Sequence, residues 1–91
     1  MTKKFELTDE KIEKYGRTLY RIRALIDIQF SWGKVSEGDL GGYIEKESCL
    51  SQDGNAWVFK DAIATKESEI WGGEIWGGTI WGGEIRGGEI R

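Results

Sequence analysis

From residue 69 the chain reads Glu69-Ile70-Trp71-Gly72-Gly73, Glu74-Ile75-Trp76-Gly77-Gly78, Thr79-Ile80-Trp81-Gly82-Gly83, Glu84-Ile85-Arg86-Gly87-Gly88 and Glu89-Ile90-Arg91. The period is five, with one isoleucine per unit in the same phase. In a helix two glycines in every five would each cost about 1 kcal/mol relative to alanine, and no 3.6-residue periodicity is present. A flexible glycine-rich linker, in turn, has no need for a regularly placed isoleucine or for three tryptophans. The unit therefore reads as a three-residue strand followed by a Gly-Gly corner. The central residue of such a strand points opposite to its neighbours, so each Ile faces inward while Glu or Thr79, and Trp or Arg, face outward. Glycine at the corner accepts positive φ without Cβ strain. Self-similarity at a short fixed period is the mark of a solenoid, in which each unit buries its apolar residue only against the next coil.

Upstream the same phase continues at less regular intervals. Ile44 to Leu50 is six residues, Leu50 to Val58 is eight, and Val58 to Ala64 to Ile70 is six and six. Four five-residue sides would give a coil of twenty, stacking Trp71 over Arg91, whereas three sides at the upstream spacing would give eighteen. The number of sides stays open at this point. In the four-sided case the regular tract is barely more than one turn, and one turn cannot stack on itself.

Residues 18–30 are the clearest strand in the chain. Tyr20, Ile22, Ala24, Ile26, Ile28 and Phe30 alternate with Arg21, Arg23, Asp27 and Gln29. Phe5 to Leu7 can pair with it as a shorter strand. Between them Thr8 can cap a short helix through Asp9 to Tyr15, stopped by Gly16. The fold expected is all-β: a short parallel β-helix over residues 35–91, closed by an N-terminal strand or hairpin cap over residues 1–34, the two forming one compact unit. A solenoid needs such a cap if its open end is not to aggregate.

Composition narrows the functions. The chain has 91 residues with no His, no Pro and one Cys. A core of that size is marginal, so stability must come from stacking or from a partner. Disulfides within a monomer and most zinc sites are excluded, and so are Ser-His and Cys-His nucleophile pairs. The expectation is a protein that is not an enzyme and carries no metal or cofactor. No apolar run approaches a membrane span or a leader, which points to a soluble cytoplasmic protein. The net charge of −3 hides a division: residues 1–34 hold eight basic and five acidic side chains, a surplus of +3, and the remainder carries −6.

Lys3 to Thr8, Thr18 to Leu25, Gly38 to Glu47 and Leu50 to Val58 carry a resemblance. Together they resemble small uncharacterised proteins of phages, prophages and gut bacteria, over about the first two thirds of the chain. Members of that family commonly continue with hexapeptide-like repeats associated with β-helices and with a polymer-forming label. This chain departs after Ala64 into units similar to pentapeptide repeats, which form a four-sided β-helix. The resemblance implies a β-helix and a phage or mobile-element origin, and it carries no established activity.

Outward Trp71, Trp76 and Trp81 are the strongest functional signal, because exposed tryptophan marks interfaces and Trp and Arg are enriched at binding hot spots. Five-residue spacing puts them on successive sides of the coil. They either meet a partner or pack within the chain, against the N-terminal segment or on Arg86 and Arg91 as cation-π pairs. Glu69, Glu74, Glu84 and Glu89 form an outward acidic set, interrupted by Arg86 and Arg91, so DNA mimicry is weak. Nucleic-acid binding by an acidic chain is weaker still. Gly41-Gly42, like the other pairs, reads as a corner, since no phosphate-loop pattern surrounds it. Cys49 reads as a small buried residue. The last repeat lacks a capping segment, and this predicts a homodimer through the C-terminal coils with Ile85, Ile90 and Arg91 in the interface.

The function expected is a non-enzymatic protein-interaction module of phage type, binding a host protein through Trp71, Trp76, Trp81, Arg86, Arg91, Glu74 and Glu84, for example as an inhibitor of a bacterial defence complex such as CRISPR-Cas. The alternative is a structural, self-assembling solenoid.

Overall fold

The computed structural model describes residues 3–90. Its elements are β1 (Phe5–Lys14), β2 (Arg17–Ala24), β3 (Ile28–Phe30), β4 (Gly33–Val35), β5 (Leu40–Ile44), a 3₁₀ turn (Glu47–Cys49), β6 (Trp57–Ala64), β7 (Ser68–Ile80) and β8 (Gly83–Ile90). One six-stranded sheet runs β1-β2-β5-β6-β7-β8, and β3 and β4 form a separate hairpin. The pairings β1–β2 and β2–β5 are antiparallel, while β5–β6, β6–β7 and β7–β8 are parallel. The chain is thus a short parallel β-solenoid closed at one end by an antiparallel hairpin. No helix among the described residues is long and apolar enough to cross a membrane.

The phase residues of the sequence become three ladders. Ile44 lies opposite Ala64 and Ala64 opposite Ile80; Leu50 lies opposite Ile70 and Ile70 opposite Ile85; Val58 lies opposite Ile75 and Ile75 opposite Ile90. Three ladders mean three sides. The coil tightens along the stack, because paired residues are twenty apart at Ile44–Ala64 and Leu50–Ile70, seventeen at Val58–Ile75, sixteen at Ala64–Ile80 and fifteen at Ile70–Ile85. A coil of fifteen is three sides of five, which takes the number of sides from one of the two alternatives the sequence left open and the side length from the other, and is shorter than both. It also lets the regular tract stack on itself through β7 and β8, which a four-sided coil would not permit.

Corner chemistry explains the tightening. The second glycine of each pair takes a φ that a side chain resists: +92° at Gly73, +77° at Gly78, +90° at Gly83 and +90° at Gly88. Inside the coil Ile44, Leu50, Val58, Ala64, Ile70 and Ile75 are buried in a single cluster, and each large aliphatic contributes on the order of 1.5–3 kcal/mol.

Gly41 and Gly42 are not a corner. They lie within β5, where a Cβ on Gly41 would come 2.5 Å from the Val58 carbonyl oxygen and 2.7 Å from Ile22. A Cβ on Gly42 would strike the carbonyl oxygens of Phe59 and Ala62. The pair lets β5 pass directly over β6.

The N-terminal cap departs from expectation in two places. Residues 9–15 form no helix, because Lys11 to Lys14 pair with Arg17 to Tyr20 and extend β1 as far as a Tyr15-Gly16 turn with φ of +57° and +71°. Two positive φ values in a two-residue loop match the twist of the flanking strands. The Thr8 hydroxyl, which looked like a helix cap, serves an irregularity in β1: it donates to the Arg21 carbonyl at 2.9 Å and accepts from the Glu10 amide at 3.2 Å. The strand expected over 18–30 is likewise broken after Ala24. The Leu25 amide turns to the Lys4 carbonyl at 2.8 Å, Ile26 is left exposed, and residues 28–30 pair instead with Gly33–Val35.

Lys4 fastens the cap to the coil. Its side chain is buried, and its ammonium donates to the Ala56 carbonyl at 2.7 Å. Gln52 closes the same junction by accepting from the Lys4 and Phe5 amides at 2.7 and 3.2 Å.

Candidate functional site

The β3–β4 hairpin lies across the side of the solenoid formed by β6 and β7. Asn55 Nδ2 holds it by donating to the Gln29 carbonyl at 3.0 Å. Ser31 and Trp32 form its tip, which places the Trp32 indole against the coil. Phe59 of β6 and Trp76 of β7 meet it there.

The four rings make one aromatic surface. Phe59 and Trp76 stack with centroids 3.8 Å apart and planes within 6°, and Phe30 and Trp32 stack at 5.4 Å and 4°. Trp32 joins the two pairs at 5.9 Å from Phe59 and 5.4 Å from Trp76, tilted by 53° in each case. The offset Phe30–Trp32 pair and the tilted contacts of Trp32 with Phe59 and Trp76 are each worth about 0.5–1.5 kcal/mol beyond burial. The Trp32 Nε1–H donates to Glu74 Oε1 at 2.7 Å, so the tip is pinned at both its apolar and its polar edge. Even so, Trp32 remains 50 % exposed.

Beside these rings runs an open groove of about 630 Å³ between the hairpin and the coil. Trp32, Phe59, Trp76 and Trp57 supply its aromatic wall, and Lys34, Asp39, Lys60 and Asp61 its charged rim. Lys34 is already paired with Asp27 at 3.1 Å, and the Asp39 carboxylate accepts from the Ser36 amide at 2.9 Å. The wall offers flat π faces, and the rim offers charges that reach solvent. That is the chemistry of a recognition surface with an apolar centre and a polar edge.

The residues singled out in the sequence divide among the three sides. Trp76 and Glu74 belong to the aromatic groove. Trp81, 52 % exposed, lies on the N-terminal hairpin, 4.8 Å from the Tyr15 ring and 5.9 Å from the Arg17 guanidinium. Trp71, 55 % exposed, borders a second groove of about 470 Å³ with Glu47, Gln52 and Glu69. The three tryptophans of the repeat therefore do not share one surface. Arg86 pairs with Glu84 at 2.7 Å on the outer face of β8 rather than stacking on a tryptophan. Ile85 and Ile90 are half-buried in the last coil, and Arg91 lies outside the described residues. Cys49 is buried, with its thiol against the Thr65 carbonyl at 3.1 Å, and burial pushes its pKa up.

Sequence reasoning did not find Trp32, Phe59, Lys60 and Asp61. A signal existed for Trp32, a tryptophan in a polar stretch outside the repeat. Phe59 and Trp76 are partners only once the local coil length of seventeen is known, and that length follows only when the six-residue steps from Val58 to Ala64 and Ile70 and the five-residue step to Ile75 are known to close one three-sided turn.

An electrostatic cluster fastens the opposite edge. The Arg17 guanidinium reaches Glu45 at 2.9 Å and Glu67 at 3.0 Å, while Glu45 also accepts from the Lys66 amide at 2.8 Å. Burial alone would push the Glu45 carboxyl up, but the Lys66 amide and the Arg17 charge outweigh it and hold the group below its ordinary value. No group of three or more Cys, Asp or Glu among the described residues is arranged to hold a metal ion. In comparisons with known proteins, no protein-family model matches this sequence and no curated protein is significantly similar to it.

Proposed function

We propose that this chain is a non-enzymatic protein-interaction module that docks a partner protein on the groove walled by Trp32, Phe59 and Trp76. The observation that carries the reading is the half-exposed Trp32, held flat on Phe30 and pinned to Glu74 without being covered. A rigid aromatic anchor loses little conformational entropy on binding, which is why such residues dominate interface energetics. The resemblance to phage proteins extends the proposal to a host protein as partner, of the kind an anti-defence inhibitor would occupy in the bacterial cytoplasm. The absence of His from the sequence supports a role without catalysis. Capture of one host protein from bacterial lysate tests it: Trp32→Ala abolishes the capture while Trp71→Ser and Trp81→Ser retain it. Capture that survives Trp32→Ala and fails with the other two overturns the choice of surface.

A second reading concerns the other end of the stack. β8 is the outermost strand described, and its Ile85 and Ile90 are half-buried where Ile70 and Ile75 beneath them are buried. A second copy laid against β8 would cover them, which supports a homodimer through the C-terminal coils. The opposite edge of the sheet is β1, whose pairing is irregular between Leu7 and Lys11, and a bulged edge disfavours continued head-to-tail addition, so this favours a closed dimer over a self-assembling filament. A stable monomer in sedimentation at micromolar concentration overturns the dimer, and concentration-dependent light scattering by filaments would replace it.

A further inference from the structure

We infer that the aromatic groove accepts a basic segment of its partner, with an arginine or lysine side chain laid against the exposed part of the Trp32 indole. The inference rests on the interaction reading above and adds the chemistry of the occupant.

Charge at the groove carries the argument. Of its two cationic side chains, Lys34 is neutralised by Asp27 at 3.1 Å, which leaves Lys60 alone. Against it stand the carboxylates of Asp39 and Asp61 on the rim, with Glu74 behind the Trp32 indole. Asp61 forms no ion pair among the described residues. Asp39 and Glu74 each spend one oxygen on a neighbour, Asp39 Oδ2 on the Ser36 amide and Glu74 Oε1 on the indole, so each keeps a second oxygen to accept. The solenoid part of the chain, which supplies most of the groove, is acidic as well, since residues 35–91 carry a formal charge of −6.

A cation facing an indole is attracted by the negative face of the ring, and a carboxylate beside the ring adds a charge-assisted hydrogen bond. Trp32 supplies the ring and Asp61 the carboxylate within one groove. The chain already uses this pairing internally, where the Arg21 guanidinium lies 4.7 Å from the Tyr43 ring centroid and 3.0 Å from the Glu10 carboxylate. An acidic segment would meet the three carboxylates with only Lys60 to answer them. A neutral saccharide could stack on the wall but would gain nothing from the excess negative charge.

Titration with acetyl-tetra-arginine amide, followed by tryptophan fluorescence, tests the inference. The peptide is expected to saturate the signal. Asp61→Asn, which changes an exposed side chain and spares the fold, weakens binding roughly tenfold, and Trp32→Ala does the same. Lys60→Gln strengthens binding roughly threefold, the effect of removing one neighbouring like charge. Glu13→Gln, an exposed acid on β1 away from the groove, leaves affinity within about twofold. The inference is overturned if Glu13→Gln weakens binding as much as Asp61→Asn, which is the mark of diffuse attraction, or if acetyl-tetra-glutamate amide or cellotetraose binds more tightly. Host-protein capture that needs Trp32, with no binding of the arginine peptide, removes the basic occupant and leaves the interaction reading standing.

Discussion

Trp76 lies flat on Phe59, ring centroids 3.8 Å apart and planes within 6°, although the two are seventeen residues apart in the chain. Seventeen is the local length of the coil, as the pairings of Trp57 with Glu74 and Val58 with Ile75 show. The aromatic wall of the groove is therefore a direct product of coil length: one residue more or less per turn would separate the two rings. Fold and candidate site depend on the same register.

The ladders differ in depth, and this fixes the cost of truncating them. Ile75 is fully buried between Val58 and Ile90, whereas Ile85 has only Ile70 beneath it and is half-buried. Ile75→Ala is expected to cost about 3–4 kcal/mol and Ile85→Ala about 1 kcal/mol. Urea denaturation of the two variants checks the order. Equal losses would place Ile85 under cover that the monomer lacks, which is the outcome a tight dimer would give.

Gly42 tests how closely β5 crosses β6. A Cβ there would meet the backbone carbonyls of Phe59 and Ala62, which cannot rotate away as a side chain could. Gly42→Ala is expected to cost about 3 kcal/mol or more and to lower the melting temperature by roughly 15 °C. Gly87→Ala, where no atom lies within 4 Å of the added Cβ and φ is not positive, serves as the control and is nearly neutral.

Lys4 makes stability depend on pH in an unusual direction. Burial pulls its pKa from 10.5 down to about 8, with the Asp53 charge opposing. Between those values the unfolded chain binds the proton and the folded chain does not, so this group adds stability as pH rises through the window and adds none below it. Denaturation at pH 7.5 and pH 10 is expected to show the wild type gaining about 2–3 kcal/mol relative to Lys4→Met. An identical change in both proteins contradicts it.

Glu69 and Glu84 face each other across β7 and β8, as do Glu74 and Glu89. Like charges directly opposite in a sheet are destabilising. Glu69→Lys converts one such pair into an attraction and is expected to raise stability by about 0.5 kcal/mol, with the gain shrinking in 1 M salt. Thermal melts at two salt concentrations measure it.

Much of the architecture was legible because its signals are local. The in-phase isoleucines and paired glycines dictate short strands and corners, and every phase residue from Ile44 to Ile90 takes its place in a ladder. The coil length was not legible, because it depends on how tightly Gly73, Gly78, Gly83 and Gly88 turn and on where the six-residue loop 51–56 is accommodated. The misread helix at Asp9–Tyr15 has a similar origin: Thr8 offers the same hydroxyl to a strand irregularity as to a helix start, and only the pairing with β2 decides between them. The groove was least legible. It needs Trp32 from the cap and Phe59 and Trp76 from successive coils, and nothing in the spacing of residues 32, 59 and 76 foretells their meeting.

Fold and groove both depend on the register that joins these coils, and interstrand nuclear Overhauser effects in isotope-labelled protein measure it directly. The structure predicts backbone contacts between Ile70 and Ile85 and between Ile75 and Ile90, with ring contacts joining Trp32, Phe59 and Trp76. Contacts pairing Ile70 with Ile90, the spacing of a four-sided coil, without a Phe59–Trp76 contact would contradict both the fold and the groove built on it.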